Sequence, residues 1–347
     1  MLKTAPLLMV RADASPAIGS GHVMRCLAIG KAWQKFGGRV LWFSAENIAP
    51  LEERLRREGF DLRKIDSTPG TESDAEQTQS GALLAGAAWV VVDGYRFIPD
   101  YIRRLKNAGL HVLFLDDDGR FDFYAADVIL NQNSCATASW YAHRGAFSLL
   151  LLGSQYALLR PEFVAESQNH ECPDIGRRIL ITMGGSDPEN VTEKVLRALL
   201  QLTENFEAKV VIGSGNVRGD ELQAISDTSL TRFEIVRSPE NMAPLMRWAD
   251  VAISGAGSTC WELAYMGLPS IVIALSSDQQ KIAEGLAQRD IAVSLDWHAT
   301  LSTERIVDAL QRLLRNHSHR LAMSERGRKL IDGRGAGRVA QFLQNSL

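Results

Sequence analysis

The sequence predicts an α/β protein with two Rossmann-like, doubly wound domains. Three observations predict this fold class. Apolar runs of strand length alternate with longer segments of helical periodicity, the alternation stops in a polar stretch near the middle, and it then starts again. Strands that alternate with helices at this spacing form parallel sheets covered by helices. With 347 residues, 46% of them hydrophobic, the chain is long enough for two such domains.

The N-terminal half contains six predicted strands with helices between them. The predicted strands are residues 6–10, 39–44, 60–65, 89–93, 111–116 and 127–130. The run at 89–93 (WVVVD) is apolar up to its last residue, which is typical of a strand buried on both faces of a parallel sheet. The intervening helices are predicted at residues 22–36, 50–59, 74–88 and 99–108.

The pattern restarts after the polar segment 166–176, which we therefore predict to be a linker. Five further strands are predicted at residues 178–183, 209–213, 233–236, 251–254 and 270–274, with a helix at 188–202. The tail after Leu301 is predicted to form three helices, separated near His317 and at 333–337. The predicted parts are an N-terminal domain (1–165), the linker (166–176), a C-terminal nucleotide-binding domain (177–332) and a helical tail (333–347).

Composition excludes several classes of protein. The net charge is -3, from 38 basic and 41 acidic residues without a basic tract, so nucleic acid is not an expected partner. The four cysteines are far apart, which argues against a disulfide framework or a zinc site and favours a cytoplasmic protein with reduced thiols. The short apolar run at the N-terminus is predicted to be a strand and not a signal peptide, and no membrane insertion is expected.

The loop after the first strand contains the main candidate for catalysis. Residues 11–25 read RADASPAIGSGHVMR, which places Gly19 and Gly21 in a turn and His22 in the first turn of the next helix. A helix N-terminus disfavours an imidazolium ion, and a histidine that stays neutral at pH 7 is suited to be a general base. The glycines let a phosphate or sugar approach the backbone. A capping histidine beside an ordinary tight turn would give the same pattern.

A second glycine turn, in residues 254–262 (SGAGSTCWE), repeats this arrangement in the C-terminal half. Gly257 follows a predicted strand, and a helix begins near Ser258. The amides and hydroxyls of such a turn are suited to bind a diphosphate. Glu262, one turn later, is suited to bind both hydroxyls of a ribose. The alternative is a well-capped helix with a solvated glutamate.

Other candidates follow the ends of other predicted strands. Gly185 and Ser186 lie in a third strand-to-helix turn, with Asp187 as the predicted N-cap and Pro188 at the first helical position. The remaining strand-end candidates are Tyr95, Asn131, Asn133, Gln279 and Gln280. Each is suited to hydrogen-bond a sugar, and each is equally typical of a turn.

Metal-dependent and covalent chemistry are not predicted. Consecutive carboxylates such as Asp116, Asp117 and Asp118 converge on one ion only where the loop folds back, and no matching ligands are visible nearby. Covalent catalysis by Ser258 or Cys260 is disfavoured because no Gly-x-Ser-x-Gly motif and no acid to orient a Ser–His pair is visible. We therefore expect neither a metal nor a cofactor.

Taken together, these segments resemble a known family. Residues 11–26 resemble the signature of the UDP-2,4-diacetamido-2,4,6-trideoxy-β-L-altropyranose hydrolases (PseG). Residues 241–250 (NMAPLMRWAD) and 254–269 (SGAGSTCWELAYMGLP) are similar to the same family and, more loosely, to the N-acetylglucosaminyltransferase MurG. The first motif is specific to the hydrolases, whereas the second is shared across the GT-B superfamily.

The resemblance implies a GT-B fold, in which two Rossmann-like domains face each other across a cleft and the nucleotide lies mainly on the C-terminal one. His22 matches the catalytic base, and Glu262 matches the ribose-binding glutamate. The loop 238–242, which includes Met242, matches the segment whose backbone receives the uracil. The diphosphate turn corresponds to Gly257, Ser258 and Thr259, and positions near the sugar correspond to Tyr95, Asn131 and Gln280.

The implied reaction is hydrolysis of a UDP-sugar at its anomeric carbon, with inversion, in pseudaminic acid biosynthesis. An inverting MurG-like glycosyltransferase, a hydrolysing 2-epimerase and a catalytically silent nucleotide-sugar binder are the alternatives. A UDP-sugar is the expected small-molecule partner, and pathway enzymes are candidate protein partners.

Overall fold

The computed structural model describes residues 5–166, 171–203, 205–227 and 233–347. Their contacts divide the chain into two compact units. The first contains the residues up to Ser15, His22–Arg160 and Arg334–Leu347, and the second contains Pro16–Gly21 and Pro161–Gly333. Each unit is built on one parallel sheet flanked by helices, which confirms the predicted fold class.

The first unit contains a seven-stranded parallel sheet in the order β3-β2-β1-β4-β5-β6-β7. Its strands are β1 Leu7–Ala12, β2 Arg39–Ser44, β3 Asp61–Lys64, β4 Ala87–Asp93, β5 Val112–Leu115, β6 Val128–Asn131 and β7 Leu149–Leu152. Its helices are α1 Gly21–Lys35, α2 Ala49–Arg57, α3 Glu72–Ala85 and α4 Pro99–Asn107, with short 3-10 turns at Ala138–Tyr141 and Ser154–Tyr156. The chain order reverses between β1 and β4, and ligands of such sheets bind beyond the carboxyl ends of the strands at this switch point.

The helix at the C-terminus belongs to this first unit. Val339 and Leu343, on this helix, are fully buried in the same apolar cluster as Leu8 and Trp89. The indole Nε1 of Trp89 donates a hydrogen bond to the carbonyl of Leu343 at 3.0 Å. The predicted tail 333–347 therefore contributes apolar side chains to the core of a unit that is otherwise formed by the N-terminal half.

The second unit contains a six-stranded parallel sheet in the order β10-β9-β8-β11-β12-β13. Its strands are β8 Arg178–Thr182, β9 Glu207–Ile212, β10 Phe233–Arg237, β11 Val251–Gly255, β12 Ser270–Ala274 and β13 Ala292–Trp297. Its helices are α5 Pro161–Val164, α6 Val191–Leu199, α7 Gly219–Asp227, α8 Ala243–Trp248, α9 Thr259–Met266, α10 Ser277–Gln288, α11 Thr303–Arg315 and α12 His317–Leu330, and a 3-10 turn spans His298–Thr300. The last helix of the chain, α13 Gly335–Asn345, is the C-terminal helix of the first unit. The switch point of this sheet lies between β8 and β11.

Two strands and one helix boundary differ from the sequence-based expectation. β7 and β13 were not predicted, and both are edge strands. The predicted helix 188–202 begins only at Val191, because Asp187 and Asn190 adopt positive φ angles of 46° and 51° that are incompatible with a helix. Asp187 nevertheless caps this helix, since its carboxylate accepts the backbone N–H groups of Val191 and Thr192.

Within the described residues, no helix is both long and apolar enough to cross a membrane. Part of the predicted linker, residues 167–170, lies outside the described residues. The rest of it clusters with the second unit, which begins at Pro161.

Candidate functional site

The candidate catalytic site of the first unit lies at its switch point. Strands β1 and β4 are neighbours, and Ala12 at the end of β1 pairs in register with Asp93 at the end of β4. The chain turns after β1 and enters α1, which places His22 in the first turn of that helix. The order of strands in the sheet thus brings together two side chains that are distant in the sequence.

His22 and Asp93 form a buried pair. His22 Nδ1 lies 2.8 Å from Asp93 Oδ1, His22 is 5% exposed and Asp93 is completely buried. When the ring is neutral, this geometry requires Nδ1 to carry the ring proton and to donate a hydrogen bond to the carboxylate. The lone pair is then on Nε2. An imidazole held in this way is suited to accept a proton at Nε2.

Arg25, one turn further along α1, binds the same carboxylate and a second one. Its Nε donates to Asp93 Oδ2 at 2.6 Å, its Nη2 to Asp93 Oδ1 at 2.6 Å, and its Nη1 to Asp117 Oδ1 at 2.7 Å. Burial alone would raise the pKa of Asp93, but the positive charges of Arg25 and then His22 outweigh it and hold that pKa well below the usual range. Asp93 is therefore an anion that orients His22 and does not take its proton.

Tyr95 lies beside the catalytic candidate. Its ring packs edge-on against the imidazole of His22, with the centroids 4.6 Å apart and the planes at 82°. Tyr95 is 42% exposed, and the guanidinium of Arg120 lies over its ring, 5.8 Å from the centroid. Arg120 Nη2 donates to the carbonyl of Tyr95 at 2.6 Å, which fixes the backbone there.

Asn131 occupies a different environment from Tyr95. It is fully buried at the end of β6, where its Nδ2 donates to the hydroxyl of Tyr141 and its Oδ1 accepts the backbone N–H of Asn133. The Tyr141 hydroxyl in turn donates to Asp116 Oδ2 at 2.8 Å. Burial raises the pKa of Asp116 despite that hydrogen bond and one from the Gly119 amide. Both polar atoms of the Asn131 side chain are thus engaged within the fold.

The candidate nucleotide site of the second unit lies at the equivalent switch point. Thr182 at the end of β8 pairs with Ser254 near the end of β11, and a glycine turn follows each strand. After β8, Gly184 adopts a φ of +86°, and a Cβ at Gly185 would lie 3.0 Å from both the amide and the hydroxyl of Ser20. Larger side chains would fill these turns, so their glycines keep the backbone amides accessible.

Gly19 and Gly21 lie next to the serines of these two turns. A Cβ at Gly19, whose φ is +73°, would lie 3.7 Å from Ser186 Oγ, and one at Gly21 would lie 3.8 Å from Ser258 Oγ. The fold therefore brings the loop Pro16–Gly21 next to both glycine turns within the second unit.

The turn after β11 leads into α9. Gly257 precedes Ser258 at the N-cap, and the Ser258 side chain makes no capping hydrogen bond. Thr259 begins the helix, so the hydroxyls of both residues lie at the N-terminus, where backbone N–H groups are available to an anion. Glu262, in the same first turn, is 8% exposed. The arrangement provides hydrogen-bond donors next to a carboxylate.

Met242 and Gln280 are the last two predicted site residues. Met242 is 7% exposed and stands at the N-cap position of α8, where Asn241 Oδ1 accepts the N–H of Ala243. Gln280 is exposed in the first turn of α10. Its neighbour Gln279 accepts the backbone N–H of Leu275 through Oε1 and thereby orders the loop after β12.

Asp93 and Arg25 are candidate functional residues that sequence reasoning did not find, and Asp117 was considered there only as a metal ligand. The only signal was the position of Asp93, a carboxylate that ends an otherwise apolar strand. Among the described residues, no group of three or more His, Cys, Asp or Glu side chains is arranged to hold a metal ion. Asp116 and Asp117 instead accept hydrogen bonds from Tyr141 and Arg25.

Sequence comparison finds one family and several relatives. Residues 178–333 match the family model of the glycosyltransferase family 28 C-terminal domain. The chain is 26% identical to an uncharacterized protein of Methanocaldococcus jannaschii over 75% of this chain and 54% of that protein. It is 28% identical to the spore coat polysaccharide biosynthesis protein SpsG of Bacillus subtilis over 56% of this chain and 57% of that protein. The chain thus spans little more than half the length of these two relatives.

Two other relatives bear on the predicted resemblance. The UDP-2,4-diacetamido-2,4,6-trideoxy-beta-L-altropyranose hydrolase of Campylobacter jejuni is 23% identical over 84% of this chain and 99% of its own length. The UDP-N-acetylglucosamine--N-acetylmuramyl-(pentapeptide) pyrophosphoryl-undecaprenol N-acetylglucosamine transferase of Haemophilus influenzae is 28% identical over 48% of this chain and 47% of its own length. The resemblance to the hydrolase family and, more distantly, to MurG is confirmed.

Solved structures bear out the fold. MurG of Acinetobacter baumannii is 19% identical, superposes with a TM-score of 0.65 and covers 98% of this chain and 99% of its own. MnaA of S. aureus with UDP is 11% identical, with a TM-score of 0.70 over 98% of this chain and 96% of its own. The chain therefore has a GT-B fold.

Proposed function

We propose that this protein is a UDP-sugar hydrolase. In this proposal it cleaves UDP-2,4-diacetamido-2,4,6-trideoxy-β-L-altropyranose to UDP and free 2,4-diacetamido-2,4,6-trideoxy-L-altrose, a step of pseudaminic acid biosynthesis in the cytoplasm that supplies flagellin or surface polysaccharide glycosylation. The observation that carries the proposal is the 2.8 Å contact between His22 and Asp93 at a switch point. The match to the Campylobacter hydrolase along nearly its whole length supports the choice of substrate.

The proposed base is His22. Asp93 accepts a hydrogen bond from the Nδ1–H group, and Nε2 takes a proton from a water molecule as its oxygen attacks C1 of the sugar. A new C1–O bond forms, the bond from C1 to the diphosphate oxygen breaks, and UDP leaves with the electron pair. Attack on the face opposite UDP inverts C1. Because a diphosphate is a good leaving group, no general acid is needed.

The second unit supplies the proposed nucleotide site. The amides at the N-terminus of α9 and the hydroxyls of Ser258 and Thr259 stabilise the negative charge on the leaving diphosphate, with Gly257 allowing close approach. Glu262 accepts hydrogen bonds from the ribose hydroxyls. Gly21, in the loop after β1, lies next to Ser258 of this site, and Gly19 of the same loop lies next to Gly185 and Ser186 in the turn after β8. The backbone beside Met242 receives the uracil.

The proposed sugar contacts come from Tyr95 and Gln280. The exposed ring of Tyr95 is suited to pack against an apolar face of a 6-deoxy sugar next to His22, and the exposed amide of Gln280 is suited to an acetamido group. Asn131 is assigned here an indirect role, because its amide holds Tyr141 and through it Asp116.

A MurG-like inverting glycosyltransferase is the second candidate. It is favoured by the match of residues 178–333 to a glycosyltransferase family and by the Haemophilus relative, which is similar over 48% of this chain. In that reaction, His22 would take its proton from an acceptor hydroxyl in place of water. The two candidates differ in whether the UDP-sugar is consumed without an acceptor.

The role of His22 is tested by His22→Gln. If His22 is the base, turnover of the UDP-sugar falls about a hundredfold or more, while the Kd for UDP, measured by calorimetry, stays as in the unmodified protein. His143→Gln is the matched control, since His143 is exposed in the same unit, and it should keep full turnover. Unchanged turnover in His22→Gln would remove the base from this mechanism.

A further inference from the structure

Arg25 is held between two carboxylates that come from different parts of the sheet. Asp93 ends β4, and Asp117 lies in the loop after β5. The guanidinium gives two of its N–H groups to Asp93 and one to Asp117, at 2.6 to 2.7 Å. Arg25 and Asp93 are buried, and the Asp117 side chain is 12% exposed. Solvent therefore screens the charges of this cluster weakly.

The charges of this cluster depend on the state of His22. The charges of Asp93, Asp117 and Arg25 sum to -1. The net charge of the cluster with His22 is therefore -1 when the imidazole is neutral and zero when it is an imidazolium. Arg25 Nη2 is only 3.4 Å from His22 Nδ1, so on its own it would repel the cation that a general base becomes. Asp93 cannot compensate alone, because its single negative charge faces both Arg25 and the imidazolium.

We propose that Asp117 is a positioning residue that neutralises Arg25 and thereby allows His22 to hold a proton during the reaction. This inference rests on the proposed role of His22 as the base. Asp117 touches neither the imidazole nor any reacting atom, and it acts through Arg25. Its negative charge raises the pKa of Arg25 against the opposing effect of burial, so Arg25 stays charged.

In the loop after β5, Asp116 has a structural role, and Asp117 has the proposed electrostatic role. Asp116 shapes the loop, because its Oδ2 accepts both the Gly119 amide and the Tyr141 hydroxyl. Asn133 Nδ2 donates to the backbone carbonyl of Asp117, which holds the main chain independently of the side chain. Replacing the carboxylate of Asp117 by an amide therefore leaves the bonds that define the loop in place.

The contacts described around the His22–Asp93 bond, apart from the bond itself, come from two elements. They are Arg25 and Cys26 from α1, and Asp93 and Tyr95 from β4 and the residues behind it. Burial and the charge of Asp93 raise the pKa of Cys26, so this thiol stays neutral. Tyr95 is an uncharged neighbour, which leaves Asp93, Arg25 and Asp117 as the charges that decide whether an imidazolium is stable.

The test is the NMR titration of the His22 ring in the full-length protein, which needs no substrate. In Asp117→Asn, Arg25 is no longer neutralised, so the imidazolium is less stable and the midpoint of the titration moves to lower pH by about one unit. Asp117→Glu keeps the charge and should titrate like the unmodified protein. Asp122→Asn, which removes an exposed carboxylate nearby in the chain, should not move the midpoint.

A double variant keeps the test decisive if Asp117→Asn does not fold. Arg25→Gln with Asp117→Asn removes the repelling cation together with its partner, so we expect its midpoint not to fall below that of the unmodified protein. A folded Asp117→Asn with an unchanged midpoint, or a double variant whose midpoint moves to lower pH by a full unit, would overturn the inference. Turnover of His22→Gln tests the role of His22 as the base separately. A failure of that role can therefore be distinguished from a failure of the proposed role of Asp117.

Discussion

Arg25 donates to both oxygens of the Asp93 carboxylate, from Nε to Oδ2 and from Nη2 to Oδ1, each at 2.6 Å. The same Oδ1 faces Nδ1 of His22 at 2.8 Å. A carboxylate held by a permanent cation stays ionised in a buried site, where an isolated acid would become neutral. The Asp93–Arg25 bond therefore ensures that Asp93 orients the imidazole of His22 as an anion.

The first prediction concerns Asp93→Asn. An amide oxygen carries no net charge, and the amide can rotate to donate to His22, which then holds its proton on the wrong nitrogen. We expect turnover of the UDP-sugar to fall about a hundredfold or more, with the Kd for UDP unchanged. Asp122→Asn serves as the control with the same change of charge. Turnover within a few-fold of the unmodified protein would show that Asp93 does not orient the base.

The second prediction concerns Glu262. A hydrogen bond to a charged group contributes about 1.5–3 kcal/mol, so Glu262→Gln should weaken UDP binding roughly tenfold or more. If the hydrogen bond goes to the ribose, the variant and the unmodified protein should differ much less in their Kd for 2′-deoxy-UDP than in their Kd for UDP. Calorimetry with both nucleotides measures the coupling, and Glu284→Gln, on the exposed side of α10, is the control. Equal losses with the two nucleotides would place the contact elsewhere.

The third prediction concerns the stability of the first unit. Arg11 and Asp74 are both fully buried and joined by two hydrogen bonds, at 2.9 and 2.7 Å. Burial would raise the pKa of Asp74, but its hydrogen bonds and charge interaction with Arg11 lower it. Removing one partner of such a buried pair costs about 3–5 kcal/mol, so Asp74→Asn should lose that much free energy of unfolding at pH 7.

The pH dependence of this loss follows from the lowered pKa. A carboxyl with a depressed folded-state pKa stabilises the protein above its unfolded pKa, about 3.9, and loses that contribution as the pH falls below it. The deficit of Asp74→Asn in urea unfolding should therefore shrink between pH 5 and pH 3. Asp100→Asn removes one partner of an exposed pair with Arg103 and should change stability by about 0.5 kcal/mol or less. A constant deficit across this range would contradict the assignment.

The fourth prediction concerns the thiols. Burial raises the pKa of Cys26 well above its ordinary value, and burial followed by the charge of Glu262 raises that of Cys260 to about 12. Because the thiolate is the reactive form, iodoacetamide at pH 8 should label Cys135 and Cys172, which are partly exposed, and leave the two buried thiols unmodified. Mass spectrometry of native and denatured protein measures this. Rapid native labelling of Cys260 would reopen the question of a nucleophilic thiol.

The two sheets could be predicted from the sequence because most of their strands are continuous apolar runs. The two strands that were missed, β7 and β13, lie at sheet edges, whereas the other two edge strands, β3 and β10, were predicted. β13 (AVSLDW) mixes polar and apolar residues because only part of it is buried, and it lacks the signal of an inner strand. β7 is four leucines that follow an irregular segment with neither helical nor strand periodicity.

The site could be predicted only in part, for a related reason. His22 and Glu262 were found because each follows a glycine turn, which is a local signal. Asp93 is 71 residues from its partner His22, and the sequence analysis assigned no role to Arg25 beyond its place in the motif of residues 11–26. Their contact depends on β1 and β4 being neighbours in the sheet, which no short stretch of sequence specifies.

The most direct measurement is NMR of the purified protein with UDP-2,4-diacetamido-2,4,6-trideoxy-β-L-altropyranose in oxygen-18 water without an acceptor. The account predicts free sugar that carries the label at C1 and UDP without label, because water attacks the anomeric carbon. Label in the UDP would mean attack at phosphorus, and it would contradict the role of His22. Absence of turnover while UDP still binds tightly would contradict hydrolysis of this sugar and favour the transferase.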